Sequence, residues 1–218
     1  MTTVCITARQ EASPIWKNQA MLRQYQMAWM VMNRSQHEVY FQVATTSPVK
    51  EIIYPKYNTP ELTEFKCWSV KYSNQDRQKE TALREFKYAL TSVNRLNQVY
   101  YLYEKVKAIP TLNYSINNAI EYIYTREQKE TDRVIFTDGN TCDLYSVPRT
   151  NNGKGCELWV NSSYKENVPP CCSFIFDMLC GAAGRHDVYD KALCGKVVKT
   201  WEDQDKNSGK IKFELKNK

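Results

Sequence analysis

The residues of this 218-residue chain with chemistry to offer are eight cysteines, a few carboxylates set in apolar runs, and two isolated histidines. None assembles into an enzyme template. There is no GxSxG, HExxH, Walker loop or GxGxxG, and His37 and His186 are lone histidines that read as surface residues rather than bases. The vicinal pair Cys171-Cys172 reads as two half-cystines reaching different partners rather than as a nucleophile. Cys5, Cys67, Cys142, Cys156, Cys171, Cys172, Cys180 and Cys194 form no CxxC pair, so zinc-ribbon and thioredoxin chemistry is not indicated. An even number of widely spaced cysteines points instead to disulfides and an oxidising compartment. Sequons at Asn33, Asn113 and Asn161 lean the same way. The opening MTTVC reads as a mature secreted form carrying an added start Met. Glu104, Asp143 and Glu157 lie in strand-like apolar contexts. Charges are rarely buried unpaired, so any of them that faces inward calls for a cationic partner. Alternation alone leaves each free to point outward into water instead.

These residues need elements to hold them. Leu22, Tyr25, Trp29 and Met32 recur at helical spacing and predict one helix over 15–32, with Pro14 before it. The period then changes to two: Val39, Phe41 and Val43 share one face, and Tyr40, Gln42 and Ala44 the other. Further strand-like runs follow at 65–72, 81–91, 98–108, 119–125, 133–137, 142–147 and 157–160, some separated by turn residues such as Asp138-Gly139-Asn140 and Asn151-Asn152-Gly153. A second helical stripe, Ile175, Leu179 and Ala182, predicts a helix over 172–191 after Pro169-Pro170. With no crossover-length helix between the strands, the order is helix, antiparallel meander, helix. Eight strands close most simply as an up-and-down barrel, which leaves no edge and can hold one small ligand. The expectation is one domain, with its core at about 15–194.

Composition narrows the function. Apolar residues make up 42% and charged residues 25%, which argues against wholesale disorder. No apolar run approaches the length that spans a bilayer as a helix. The 15 tyrosines suit strands and an apolar pocket. The net charge of +6 is spread out and reads as an ordinary solvated surface rather than a nucleic-acid or membrane footprint. After Cys194, seven lysines stand against Glu202, Asp203, Asp205 and Glu214, a weakly basic extension over 195–218.

Several strings together resemble the tick salivary lipocalins of the histamine-binding type. They are Gly155-Cys156-Glu157-Leu158-Trp159-Val160, Tyr25-Gln26-Met27-Ala28-Trp29, Glu38-Val39-Tyr40-Phe41, Asn118-Ala119-Ile120-Glu121-Tyr122 and the stretch 138–148 around Cys142-Asp143. The order and spacing are similar from about residue 15 to Cys194. Met27 stands where the family usually has an acid. The resemblance implies an eight-stranded antiparallel lipocalin barrel with an N-terminal helix and a C-terminal helix packed outside. It also implies bridges Cys67–Cys194 and Cys142–Cys172. Related soft-tick lipocalins with a vicinal pair add the equivalent of Cys5–Cys171; Cys156 and Cys180 remain, and pairing them is our own inference.

By the same resemblance, lumenal carboxylates and aromatic rings hold an ammonium through charge pairing and cation–π attraction. The matching positions are Glu157, Asp143 and Glu104, with Tyr40, Tyr122 and Ile120 in the walls. Arg133 aligns with a lumenal acid, and Ser35 and Ser47 replace an expected acid and tyrosine. An inward Arg133 would suit a carboxylate ligand. The implied function is a secreted salivary monomer that sequesters a small host mediator, without catalysis, cofactor, metal, nucleic-acid or membrane partner. A biogenic amine (histamine or serotonin) comes first. Capture of an anionic lipid such as a leukotriene or fatty acid is the alternative, and a protein-binding immunomodulator using the barrel as scaffold is another.

Overall fold

The computed structural model describes residues 14–53, 61–91, 99–123 and 128–207. Its strands are β1 Tyr40–Thr45, β2 Lys50–Ile53, β3 Glu61–Asp76, β4 Thr81–Leu90, β5 Tyr100–Ile109, β6 Ala119–Ile123, β7 Lys129–Thr137, β8 Cys142–Val147, β9 Gly155–Asn161 and β10 His186–Asp187. From β3 to β9 each strand pairs antiparallel with the next in sequence, and β9 pairs with β1. Tyr40 and Phe41 then pair with Val70 and Ser69 of β3, which closes an eight-stranded antiparallel barrel. Two short strands that the sequence did not suggest lie outside the ring: β2 extends β3, and β10 extends β1.

The predicted helix over 15–32 is broken into single turns. A 3₁₀ turn covers Ile15–Lys17, α1 is Gln19–Leu22, another 3₁₀ turn covers Arg23–Tyr25, and α2 is Ala28–Met32. Asn18 and Met27 take extended backbone conformations that interrupt it. The reason is that its apolar residues serve two places. Trp16 packs on the outer face of the barrel, while Ala28, Val31 and Met32 are buried against the interior, where α2 plugs one end. A straight helix could not reach both. The buried Gln26 amide pins the break, donating to the carbonyls of Trp16 at 2.8 Å and Ile135 at 3.0 Å.

The predicted helix over 172–191 also ends early. α3 is Pro170–Cys180; Gly184, at φ +96°, turns the chain in a conformation that favours glycine, and His186–Asp187 joins the sheet. A further helix, α4 Lys191–Asn207, takes up much of the stretch expected as an extension, with Val197 and Trp201 buried against β3 and β4. Three disulfides fasten these helices to the wall. Cys142–Cys172 and Cys156–Cys180 hold α3 against β8 and β9, and Cys67–Cys194 holds α4 against β3. Cys171 is exposed and bonded to no described residue, and Cys5 lies outside the described residues.

This arrangement explains why β1 is buried along its whole length. Tyr40 belongs to the inner core, while Val43 packs outward with Cys172, Phe176 and Cys180. Covering helices on one side and a lumen on the other bury both faces.

Candidate functional site

Inside the barrel, opposite the end plugged by α2, lies a cavity of about 260 Å³. Strand alternation decides what lines it. β4 contributes Arg84, Phe86 and Tyr88, β5 Leu102 and Glu104, β6 Tyr122, β7 Asp132, β8 Tyr145, and β9 Glu157 and Trp159. β3 needs a bulge to contribute fully. Its register shifts between Lys66 and Ser69, and Cys67 adopts φ +58°, the left-handed region. That extra residue sends Cys67 outward to its disulfide and lets both Phe65 and Trp68 line the cavity. The two rings stack with centroids 5.9 Å apart; Tyr88 stacks on Trp68 at 4.3 Å, and Phe86 bridges to Trp159 at 5.8 Å. The result is a continuous wall of aromatic faces.

Against that wall runs a row of alternating charge. Arg84, buried, donates from Nε to Glu104 Oε2 at 2.8 Å and from Nη1 to Asp132 Oδ2 at 3.3 Å. Asp132 Oδ1 accepts from Arg149 Nη1 at 2.8 Å and from the Tyr122 hydroxyl at 3.3 Å. Arg149 also reaches the Tyr122 hydroxyl oxygen, and the Tyr122 ring lies under Arg84 at 4.6 Å and Arg149 at 5.6 Å. Glu157 ends the row. Its Oε2 accepts from the Trp159 indole at 3.1 Å, and no arginine hydrogen-bonds to it among the described residues.

The electrostatics follow from this order. Burial would lower the Arg84 pKa, but Glu104, Tyr72 and Asp132 more than offset it and hold the guanidinium charged. Burial, and then Asp132, push the Glu157 carboxyl above its ordinary value of 4.5, against the opposing pull of Arg149 and the Trp159 indole. Among the described lining residues, two arginines face three carboxylates, and Glu157 carries the charge left over.

The structure gathers Glu157, Glu104 and Tyr122 at the cavity. Tyr40, Asp143 and Ile120 are buried but do not line it. Asp143 is held by Arg34, which donates to both carboxylate oxygens at 2.6 and 2.7 Å. That guanidinium stacks 3.8 Å from the Tyr40 ring, and Tyr40 donates its hydroxyl proton to the Asn140 carbonyl at 2.6 Å. Burial lifts the Tyr40 pKa to about 12, with Arg34 opposing. Ile120 is wholly enclosed in the inner apolar core. Arg133 departs from its expected lumenal place. It sits between Asp132 and Val134, both of which face inward, so alternation turns it to the other side of β7. There it is half-buried, and burial lowers its pKa.

Arg84, Asp132 and Arg149 did not emerge from the sequence. Arg84 shares the alternation of Ala82, Phe86 and Tyr88, which was the available signal. Arg149 comes from a turn, where periodicity says nothing. Thr150 N–H bonds the Val147 carbonyl at 3.1 Å, with Pro148 in the second position that a β-turn favours. The turn packs directly on Gly155, where a Cβ would lie 2.4 Å from the Val147 carbonyl oxygen.

Comparison with known proteins places this architecture. A family model described as tick histamine-binding protein matches residues 16–196. The male-specific histamine-binding salivary protein of Rhipicephalus appendiculatus is 27% identical over 168 residues, covering 75% of this chain and 78% of that protein. Female-specific histamine-binding protein 1 of the same tick is 25% identical over 179 residues, covering 81% of this chain and 86% of its own length. Among solved structures, Japanin from Rhipicephalus appendiculatus, bound to cholesterol, superposes with a TM-score of 0.47 at 15% identity, over 71% of this chain and 94% of Japanin. The siderocalin Ex-FABP superposes at 0.41 and 14% identity, over 70% and 93%. The family match takes in the whole barrel, the helices of its plugged end and the lumenal charge row. This chain belongs to the tick histamine-binding protein family.

Proposed function

We propose that this protein is a secreted salivary binder that captures a small cationic amine of the host inside its barrel and leaves it chemically unchanged. The observation that carries the reading is Glu157. It is the lumenal carboxylate with only an indole hydrogen bond, set beside Trp159 and the aromatic wall. An ammonium placed there completes the charge row and gains both a charge-assisted hydrogen bond and ring faces. The names of the two salivary relatives, both histamine-binding, support the same ligand class. The cavity volume of about 260 Å³ also favours a small amine. Sites for drug-sized ligands run from roughly 300 to 1,000 Å³.

An anionic lipid is the second reading, favoured by two arginines in the lumen. Both already hydrogen-bond carboxylates, so a leukotriene or fatty-acid headgroup would have to displace Asp132 or Glu104. A protein-binding role would rest on the exposed Phe174 and Met178 of α3.

Calorimetry with histamine, serotonin and a leukotriene tests the choice. Glu157→Gln should weaken amine binding by about ten- to a hundredfold, roughly 1.5–3 kcal/mol. Arg133→Gln, on the far side of β7, should change no affinity. Tight leukotriene binding together with no amine binding overturns the proposal.

A further inference from the structure

The lumen holds a cation that does not come from its walls. Arg84 projects from a strand and is enclosed, with 5% of its side chain exposed. Arg149 projects from the turn after β8 and keeps 33% exposed. Its guanidinium nevertheless lies over the Tyr122 ring, in hydrogen-bond contact with the Tyr122 hydroxyl and Asp132. A carboxylate oxygen at 2.8 Å and an aromatic face at 5.6 Å are what a small organic ammonium would seek. Asp132 and Tyr122 thus form a second cation position beside the one at Glu157 and Trp159, and the protein fills it itself.

We propose that Arg149 is a specificity-determining residue, a tethered cation that occupies the Asp132–Tyr122 position and so limits the lumen to one ligand positive charge. The proposal rests on the reading of the cavity as an amine site. With Arg149 in place, the described lining residues carry three carboxylates and two guanidinium groups, an excess of one negative charge. Removing Arg149 raises that excess to two and frees Asp132 Oδ1 on the side away from Arg84, which is bound through Oδ2. A second ammonium, or the far end of a diamine, then has a place to sit. Arg149 can be spared without opening the wall because it belongs to a turn and makes no ladder hydrogen bond.

The test is calorimetry of the full chain, as wild type, Arg149→Gln and Arg149→Lys, against histamine and 1,4-diaminobutane. Circular dichroism should confirm that each variant keeps the wild-type spectrum. Wild type should bind one histamine and prefer it to the diamine. Arg149→Gln should bind two histamines or gain at least tenfold in diamine affinity relative to histamine. Arg149→Lys, which keeps a tethered charge, should behave as wild type. Arg149→Gln with unchanged stoichiometry and an unchanged ratio of affinities overturns the proposal, while wild-type binding that is lost in Glu157→Gln still upholds the amine reading. Diamine binding by Arg149→Gln alone supports the tethered cation and counts against that reading for the wild type. If neither protein binds either amine, both fail. Should Arg149→Gln not fold, Arg149→Lys with altered stoichiometry is the overturning result.

Discussion

At the scale of single residues, two inward-facing carboxylates of similar sequence context do different work because their partners differ. Asp143 has a guanidinium on both oxygens and is almost fully enclosed. Removing its charge leaves Arg34 buried and unpaired, so Asp143→Asn should cost about 3–5 kcal/mol in urea unfolding while histamine affinity barely moves. Glu157 has only an indole. Its raised pKa means that the folded, ligand-free protein holds this proton more tightly than the unfolded chain. Its contribution therefore favours folding below the ordinary glutamate pKa and fades as pH rises through the folded value. Amine capture runs the opposite way, since it needs the ionised form. Affinity should fall as pH is lowered through the window above 4.5, and Glu157→Gln should flatten that dependence. A wild-type affinity that is constant through this window would remove Glu157 from the site.

At the scale of elements, the wall owes its shape to two local irregularities. The bulge at Cys67 changes the parity of β3, placing Phe65 and Trp68 in the lumen and the Cys67 half-cystine outside. Gly155 lets the Arg149 turn lie on β9. Gly155→Ala forces the turn away, and unfolding experiments should register a loss of about 1–3 kcal/mol from overpacking. The helices depend on their bridges. Replacing Cys67 and Cys194 together by alanine should cost roughly 2–4 kcal/mol and expose α4 amides to fast hydrogen exchange, with the barrel amides still protected. Exposed Cys171 is expected to pair with Cys5, so peptide mapping without reduction should recover the two joined. Alkylated Cys171 would refute that bridge.

For the whole molecule, closure is the organising fact. A ring of eight strands plugged at one end by α2 encloses an inner space, and the external helices add core outside it. Such a protein should respond to ligand by mass action alone. Histamine at a hundred times its Kd should raise unfolding stability by about 2.7 kcal/mol. Mass spectrometry should recover it unaltered after long incubation; a modified product would contradict simple capture.

Strand periodicity made the barrel and its antiparallel order legible in the amino-acid sequence, and the resemblance carried by the order of motifs made Glu157, Glu104 and Tyr122 candidates. Those signals are local, and alternation carries along a strand without reference to its neighbours. What lay beyond them shares one physical cause. The broken N-terminal helix, the early end of α3 and the helix at 191–207 were set by surfaces that exist only once the barrel has formed. Trp16 and Met32, for example, are drawn to opposite sides of the same wall. The turn of Arg133 away from the lumen in favour of Asp132 hangs on a one-residue register, which flips every side chain of a strand. The charge row Glu104–Arg84–Asp132–Arg149–Glu157 joins five separate parts of the chain, so no spacing in the sequence encodes it. Only closure of the sheet brought those charges within hydrogen-bond reach and left Glu157 as the one without a guanidinium.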